Sequence, residues 1–482
     1  MNKLENSHLK SIKMATNRRS FLRNTLIGSG AIAAGLSQST RVFAENTGNA
    51  NSAIQPEQTF NMCGYAAPKI DKVRIGFIGL GNRGPGAVDR MSHIEGVEIA
   101  ALCDQYEDRV EKVQKKLAER GIPRAKTYTG SKEAWKALCE NPDIDLVYIT
   151  TPWAWHTPMA VYAMQNGKHA ASEVPAAKTI EECWQLVETS EKTRKHCMML
   201  ENTCYDFFEL LTLNMARQGF FGEIVHTEGA YIHTLIDSNF DKENYSEMWR
   251  LRENLRNGNL YPTHGLGPIA QVMNINRGDK MEYLTAMSSA DFQMATRANE
   301  LAATDSLFKE FAGKTFRGNM NTTTIKTYKG RTIMLQHDVT SPRVYSRIHL
   351  ISGTKGMAQK YPEPGRIALG HAWLEEEKMK ELNEKYTPEI VKHIGEMAKK
   401  VGGHGGMDFM MDWRLIDCLR NGLPLDQDVY DAALWSSIAP LSESSVANRS
   451  MSVDVPDFTN GAWKTNKPVE LTLKGGGTTG VK

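Results

Sequence analysis

One stretch constrains the fold of this chain more than any other: Lys72–Gly86, KVRIGFIGLGNRGPG. Val73, Ile75, Phe77 and Ile78 make a short apolar run rich in β-branched and aromatic side chains, and Gly79-Leu80-Gly81-Asn82-Arg83-Gly84 then opens a helix. In a strand–turn–helix unit of this kind the first glycine takes the turn. The second lets the main chain approach a pyrophosphate, and the third packs helix on strand, with helix N–H groups facing the phosphates. The next apolar run, Val97-Glu98-Ile99-Ala100-Ala101-Leu102-Cys103, ends at Asp104. An acid at that spacing bonds the ribose hydroxyls of an adenosine, and its charge repels a 2′-phosphate, so the pattern favours NAD over NADP.

With 482 residues and 41% hydrophobic side chains, the chain exceeds one ordinary domain. Its 58 basic and 56 acidic side chains nearly balance, which leaves no large field of one sign to draw a nucleic acid. Strand and helix patterns alternate through residues 69–203, as in an α/β doubly wound Rossmann sheet of parallel strands. From residue 204 to 482 the pattern changes to an α+β domain. Strands at about 225–232, 322–328, 332–339 and 343–351 predict a mainly antiparallel open sheet, and helices near 408–420 and 428–438 pack back on the first domain. A helix from Tyr205 to Gln218 joins the two domains.

The first 44 residues read as an export signal. Asn17-Arg18-Arg19-Ser20-Phe21-Leu22-Arg23 precedes a Gly/Ala-rich apolar run and then Val42-Phe43-Ala44, a layout that resembles a twin-arginine leader cleaved after Ala44. The run is too short and too glycine-rich to span a membrane. A periplasmic or secreted location follows, and export in the folded state lets the protein carry its nucleotide out. Residues 45–68, rich in Asn, Gln, Thr and Pro, are expected as a linker. The seven cysteines show neither CxxC nor staple spacing and read mostly as small buried hydrophobes, and no metal cluster stands out.

Beyond the nucleotide turn, Thr151-Pro152 with His156 and Glu173-Val174-Pro175 fall at the carboxyl ends of strands, where an open α/β sheet binds ligands. With the glycine turn and Asp104, this set resembles the glucose-fructose oxidoreductase/inositol dehydrogenase (Gfo/Idh/MocA) family over nearly all of residues 70–460. That family's third motif is usually Glu-Lys-Pro, whose lysine helps move the substrate hydroxyl proton. Here Val174 stands in its place, and a valine moves no proton. The departure points to one branch. Trp153-Ala154-Trp155-His156, Glu173-Val174-Pro175, Tyr261-Pro262-Thr263-His264-Gly265 and His404-Gly405-Gly406-Met407-Asp408 together resemble glycoside hydrolase family 109, the NAD-dependent α-N-acetylgalactosaminidases.

The resemblance implies NAD contacts at Gly79, Gly81, Asn82, Arg83, Gly84, Asp104, Trp153, Ala154, Trp155, His156, Glu173, Val174, Asn202 and Tyr261. It implies a sugar pocket lined by Tyr231, Arg250, Tyr261, Pro262, Thr263, His264 and Tyr345. The catalytic candidates are His264, Tyr261, Glu173 and Tyr205. His264 follows Tyr261 by three residues, so a helical turn sets both on one face, and a histidine titrates near neutrality. The implied reaction oxidises C3 of the sugar, eliminates at C1, adds water and restores C3, acting on a glycan that ends in N-acetylgalactosamine. A periplasmic sugar oxidoreductase on the same fold is the competing reading, and a homo-oligomer is left open.

Overall fold

A computed structural model describes residues 56–482, apart from Asn244. The leader read over residues 1–44, and the linker as far as residue 55, lie outside the described residues. Strands β1 (Val73–Ile78), β2 (Val97–Cys103), β3 (Lys126–Tyr128), β4 (Leu146–Ile149), β5 (His169–Ser172) and β6 (Cys197–Met199) form one sheet in the order β3-β2-β1-β4-β5-β6. All its pairings are parallel. Helices on both faces bury Val73, Ile75, Phe77 and Ile149, which is why these strands read as nearly continuous apolar runs. The chain order reverses between β1 and β4, so the loops after these two strands part and leave a crevice at their carboxyl ends.

The second sheet contains β7 (Ile224–Ile232), β8 (Met281–Ser288), β9 (Asn321–Thr327), β10 (Thr332–Asp338), β11 (Leu350–Gly353), β12 (Met357–Gln359), β13 (Arg366–Ala368) and β14 (Val453–Asp454). Its order is β13-β12-β11-β7-β10-β9-β8-β14, antiparallel throughout except where β7 and β10 run in parallel. One face lies under the helix Thr263–Val272. The approach is close: a Cβ on Gly265 would stand 2.3 Å from the Ala230 nitrogen, and one on Gly229 would stand 2.5 Å from the Gly265 oxygen. Two glycines therefore let helix backbone sit on strand backbone, which fixes His264 beside Tyr231.

Three expectations about the chain change. Residues 343–349 do not form a continuous strand: Ser346 makes a single antiparallel bridge to Ile232, and only Leu350–Gly353 forms a strand. Arg347 turns into the interior to pair with Asp206 and Glu209, both at 2.9 Å, and Ile348 and His349 take left-handed backbone angles. The expected helix from Tyr205 begins instead at Phe207, because the Asp206 carboxylate accepts from the Phe208 N–H and caps it, while Asn202–Tyr205 forms a separate turn. The described part of the linker is packed rather than free: Met62 and Ala67 are buried, the Met62 N–H donates to the Tyr430 hydroxyl (3.1 Å) and the Thr59 N–H to Glu191 (2.9 Å).

The last long helices do return to the first domain. Asp412, on the helix Met407–Asn421, accepts from Arg90 and from the Tyr148 hydroxyl (both 2.8 Å), and Ser436, on the helix Val429–Ala447, accepts from the Ala176 N–H. Six of the seven cysteines are buried and all are free thiols. Among the described residues, no helix is long and apolar enough to cross a membrane.

Candidate active site

The crevice is a cavity of about 460 Å³ between the nucleotide turn and the helix Thr263–Val272. Gly79 makes the turn at φ +92°, and a Cβ there would lie 2.9 Å from the Thr150 main chain. A Cβ on Gly84 would lie 2.1 Å from the Gly79 oxygen, so the third glycine is required by the protein's own packing. Gly81 differs. It borders the cavity, and a Cβ on it would meet only the Arg109 guanidinium, at 3.4 Å. The space left over the second glycine is the cradle that a pyrophosphate fills.

Other groups suit the same occupant. The buried Asp104 carboxylate accepts from the Leu80 N–H (2.7 Å) and the Tyr106 N–H (3.0 Å), which pins it at the cavity edge with acceptor capacity to spare for ribose hydroxyls. Asn202 donates its Nδ2 to Asp408 (2.5 Å), and among the described residues its buried Oδ1 has no hydrogen-bond partner. An orphaned amide oxygen lining the cavity matches the carboxamide N–H of a nicotinamide. The residues present therefore fit NAD.

Between these groups lies a charged cluster. Arg83 donates through Nε to Glu173 (2.9 Å), and its Nη1 stands 3.4 Å from Asp408. Glu173 and Asp408 outweigh the cost of burial and keep the guanidinium charged. Burial would raise the pKa of Asp408, but the His404 hydrogen bond and the Arg83 and Arg90 charges outweigh it and hold the carboxyl well below the usual range. His404 Nδ1–H donates to Asp408 (3.0 Å), and its imidazole, 55% exposed, reaches the cavity mouth.

The end away from Asp104 is aromatic. The Tyr261 ring stacks on Trp153 (5.7 Å between centroids) and contacts Tyr231 (4.7 Å) and, edge-on, His264 (4.8 Å). The Arg250 guanidinium lies 5.2–5.7 Å from the centroids of Trp153, Tyr245, Trp249 and Tyr261. Among the described residues no carboxylate pairs with this cation, and such a box leaves N–H donors for a ligand. Burial pushes the Tyr261 hydroxyl well above its ordinary pKa. His264 Nδ1–H donates to Glu201 Oε1 (2.8 Å).

Most of the residues singled out in the sequence thus border one cavity: Gly79, Gly81, Asn82, Arg83, Asp104, Trp153 to His156, Glu173, Val174, Asn202, Tyr231, Arg250, Tyr261 and His264. Gly84, Pro262 and Thr263 lie behind its wall. Tyr261 precedes the helix that carries His264, and Pro262 is that helix's N-cap residue, so the two rings meet through this turn rather than through shared helical spacing. His156 is buried with its ring nitrogens 2.7 Å from the Thr151 and Pro175 carbonyls, which makes it a brace for the Trp153–Trp155 turn. Tyr345 packs edge-on behind Tyr231 (6.3 Å), its hydroxyl accepting from Arg347.

The structure sets Tyr205 apart from the cavity. It is buried, and its hydroxyl donates to Asp426 (3.3 Å) under the helix Met407–Asn421, where no ligand in the crevice could meet it. Three residues to which the sequence reading gave no role are added: Glu201, and the pair His404 and Asp408. Glu201 follows β6 as Glu173 follows β5, and the four-residue spacing of His404 and Asp408 at a helix start is the local mark of their pairing.

Residues 73–201 match the oxidoreductase family with an NAD-binding Rossmann fold, and residues 205–465 match the C-terminal domain of glycosyl hydrolase 109. An alpha-N-acetylgalactosaminidase of Bacteroides fragilis is 52% identical over 416 residues, covering 85% of this chain and 97% of that protein. Glycosyl hydrolase family 109 protein 1 of Bacteroides thetaiotaomicron is 47% identical over 468 residues, covering 92% and 97%. Among solved structures, scyllo-inositol dehydrogenase from Lactobacillus casei with bound NAD(H) and scyllo-inositol superposes with a TM-score of 0.56 at 14% identity, covering 80% of this chain and 99% of that one. That likeness is one of fold.

Proposed function

The chain belongs to glycosyl hydrolase family 109 and carries an NAD-binding Rossmann domain, and from that premise we propose that it is an exported glycosidase that releases terminal α-linked N-acetylgalactosamine by oxidation at C3, elimination at C1, addition of water and restoration of C3. The observation that carries the reading is the content of the cavity. A nucleotide turn, an aromatic pocket that holds His264, and a second imidazole, His404, set against Arg83 of that turn all line it. Hydrolysis by paired carboxylates needs two of them free to flank the scissile bond. Here Asp104 is held by backbone N–H groups, Glu173 by Arg83 and Glu247 by Lys132.

When bound, the nicotinamide supplies reversible oxidation at C3, so the cycle is redox-neutral. The C3 ketone acidifies the C2 proton. His264 and Tyr261, in edge-to-face contact, are the groups through which the C3 hydroxyl proton and the C2 proton pass, and the Tyr261 hydroxyl, which burial keeps protonated, gives up its own hydrogen as it accepts one. The loss of C2–H and of the C1 substituent leaves a C1–C2 double bond, to which water adds. His404, the more exposed imidazole, stands where the leaving group departs to solvent, and it protonates that oxygen. Arg250 donates to the sugar's oxygen atoms from its aromatic box, and Tyr231 backs the pocket. Val174 is buried at the cavity wall, where no lysine competes for these protons. Export by the twin-arginine route is part of this proposal and rests on Arg18 and Arg19 within the leader pattern.

The test uses protein purified without added NAD. On p-nitrophenyl α-N-acetylgalactosaminide in D₂O it should release nitrophenol and a sugar deuterated at C2, and 2-deuterated substrate should show a primary isotope effect. His264→Ala should lower kcat by roughly 10²–10⁴-fold with NAD still bound. Active enzyme that shows neither C2 signal would refute the elimination reading.

A further inference from the structure

Glu201 has no part in the steps above, yet it is a carboxylate closely held beside them. Its side chain is unexposed. Both oxygens lie on His264 Nδ1, at 2.8 and 3.0 Å, and Oε1 also accepts from the Thr203 N–H (3.2 Å) and hydroxyl (2.7 Å). Its backbone carbonyl accepts from Gln427 (3.0 Å), and a Cβ on Gly267 would stand 2.9 Å from its Cγ, so the helix Thr263–Val272 packs directly against it. Thr203 lies against both partners, its one hydroxyl hydrogen shared between Glu201 Oε1 and the His264 carbonyl (3.0 Å).

An ionised carboxylate only accepts, so Nδ1 of His264 carries the hydrogen and Nε2 is left as a lone pair on a ring that borders the cavity. We propose that Glu201 is the positioning residue that makes His264 a base: it fixes the ring and its tautomer, and its charge stabilises the imidazolium formed when Nε2 takes a substrate proton. Burial would keep Glu201 protonated, but His264 and the Thr203 hydrogen bonds outweigh it and hold the carboxyl below its ordinary pKa. The other charged or titratable groups facing this ring are Tyr231 and Tyr261, Arg250 beyond Tyr261, and the Arg83–Glu173 pair at the cavity wall. Without Glu201 the imidazole keeps Arg250 beyond Tyr261, whose positive charge opposes protonation. The proposal rests on the reading that a substrate proton is removed in this cavity.

The experiment measures kcat/KM against pH for the NAD-loaded wild type, Glu201→Gln and Glu201→Asp, together with the C2 isotope effect in the wild type. Glu201→Gln should keep its NAD and its KM, lose roughly 10²–10⁴-fold in kcat, as loss of the carboxylate that orients a catalytic histidine does, and move the acidic limb of the profile down by about 1–2 pH units. Glu201→Asp, which keeps the charge, should leave that limb near its wild-type position. An acidic limb unmoved in Glu201→Gln, or a kcat unchanged, overturns the proposal. If Glu201→Gln does not fold, ¹⁵N spectra of wild-type holoenzyme, with His264 assigned by difference from His264→Gln, decide the matter. A neutral ring protonated at Nδ1 supports the proposal, and one protonated at Nε2 overturns it. A wild type without the C2 isotope effect defeats the elimination reading itself, whatever Glu201 does.

Discussion

Gly81→Ala separates the demands of the nucleotide from those of the fold. Gly81 is not among the glycines with positive φ, so alanine takes its backbone conformation without strain. Its Cβ would find the Arg109 Nη1 at 3.4 Å and Cζ at 3.9 Å, atoms at the far end of a flexible side chain. The folded apoprotein should therefore unfold within about 1 kcal/mol of wild type. The methyl group instead occupies the space where a phosphate approaches the main chain. Displacing one charge-assisted hydrogen bond costs about 1.5–3 kcal/mol, or roughly 10- to 150-fold in NAD affinity. Gly84→Ala is the matched control, since its Cβ would lie 2.1 Å from the Gly79 oxygen and 3.0 Å from the Thr150 hydroxyl, with backbone as the obstacle. Its cost falls at or beyond the top of the ~1–3 kcal/mol range for an overpacked core. Urea unfolding of NAD-stripped protein and the NAD content of purified protein measure the two quantities. Gly81→Ala that retains stoichiometric NAD, or that loses as much stability as Gly84→Ala, would refute the division of labour among the three glycines.

Asp104→Ala should likewise lower NAD retention, by roughly 10-fold or more for the loss of a charge-assisted ribose contact, and equilibrium dialysis of the stripped protein reads it. His196, pushed down to about 4 by burial and the Lys195 charge, binds its proton between pH 4 and 6.5 only in the unfolded chain, so its contribution to stability falls as pH drops through that window. The stability deficit of His196→Gln relative to wild type should therefore shrink by roughly 1.4 kcal/mol per pH unit from 6.5 towards 4, and a deficit independent of pH in urea melts would show that the imidazole is not kept neutral. Replacing Arg18 and Arg19 with lysine should retain active enzyme in the cytoplasm, and cell fractionation that finds it still exported would remove the leader reading.

Which parts of this molecule were legible in its sequence follows the range of the forces involved. Gly79, Gly84 and Asp104 were readable because a turn, a helix start and a strand end are settled by neighbours a few residues away. The apolar runs of β1, β2 and β4 were readable because a strand buried on both faces can carry little else. Helix boundaries moved where a side chain captured a backbone group, as Asp206 does at Phe207. The strand read over residues 343–351 is broken at Ile348 and His349, which take left-handed angles after Ser346 and Arg347 have bonded β7, and the Arg347 side chain pairs with Asp206 and Glu209, partners 138 or more residues away that no local pattern announces.

The same limit applies to the site. The sequence by itself determined a dinucleotide turn, an acid for the ribose and a histidine following a tyrosine, each a statement about one short segment. The tertiary structure alone decided that Glu201 meets His264 across 63 residues, that His404 and Asp408 close on Arg83 from the far end of the chain, and that Trp153, Trp249 and Tyr261 box one guanidinium. It also removed Tyr205 to the interior and drew residues 57–68 onto the core. Contacts of this kind depend on which carboxyl-end loops the sheet order brings together and on where two glycines let a helix touch a strand. A tyrosine or a glutamate reads the same along the chain whether it faces a cavity or a core, since only the burial and pairing of the folded state distinguish the two.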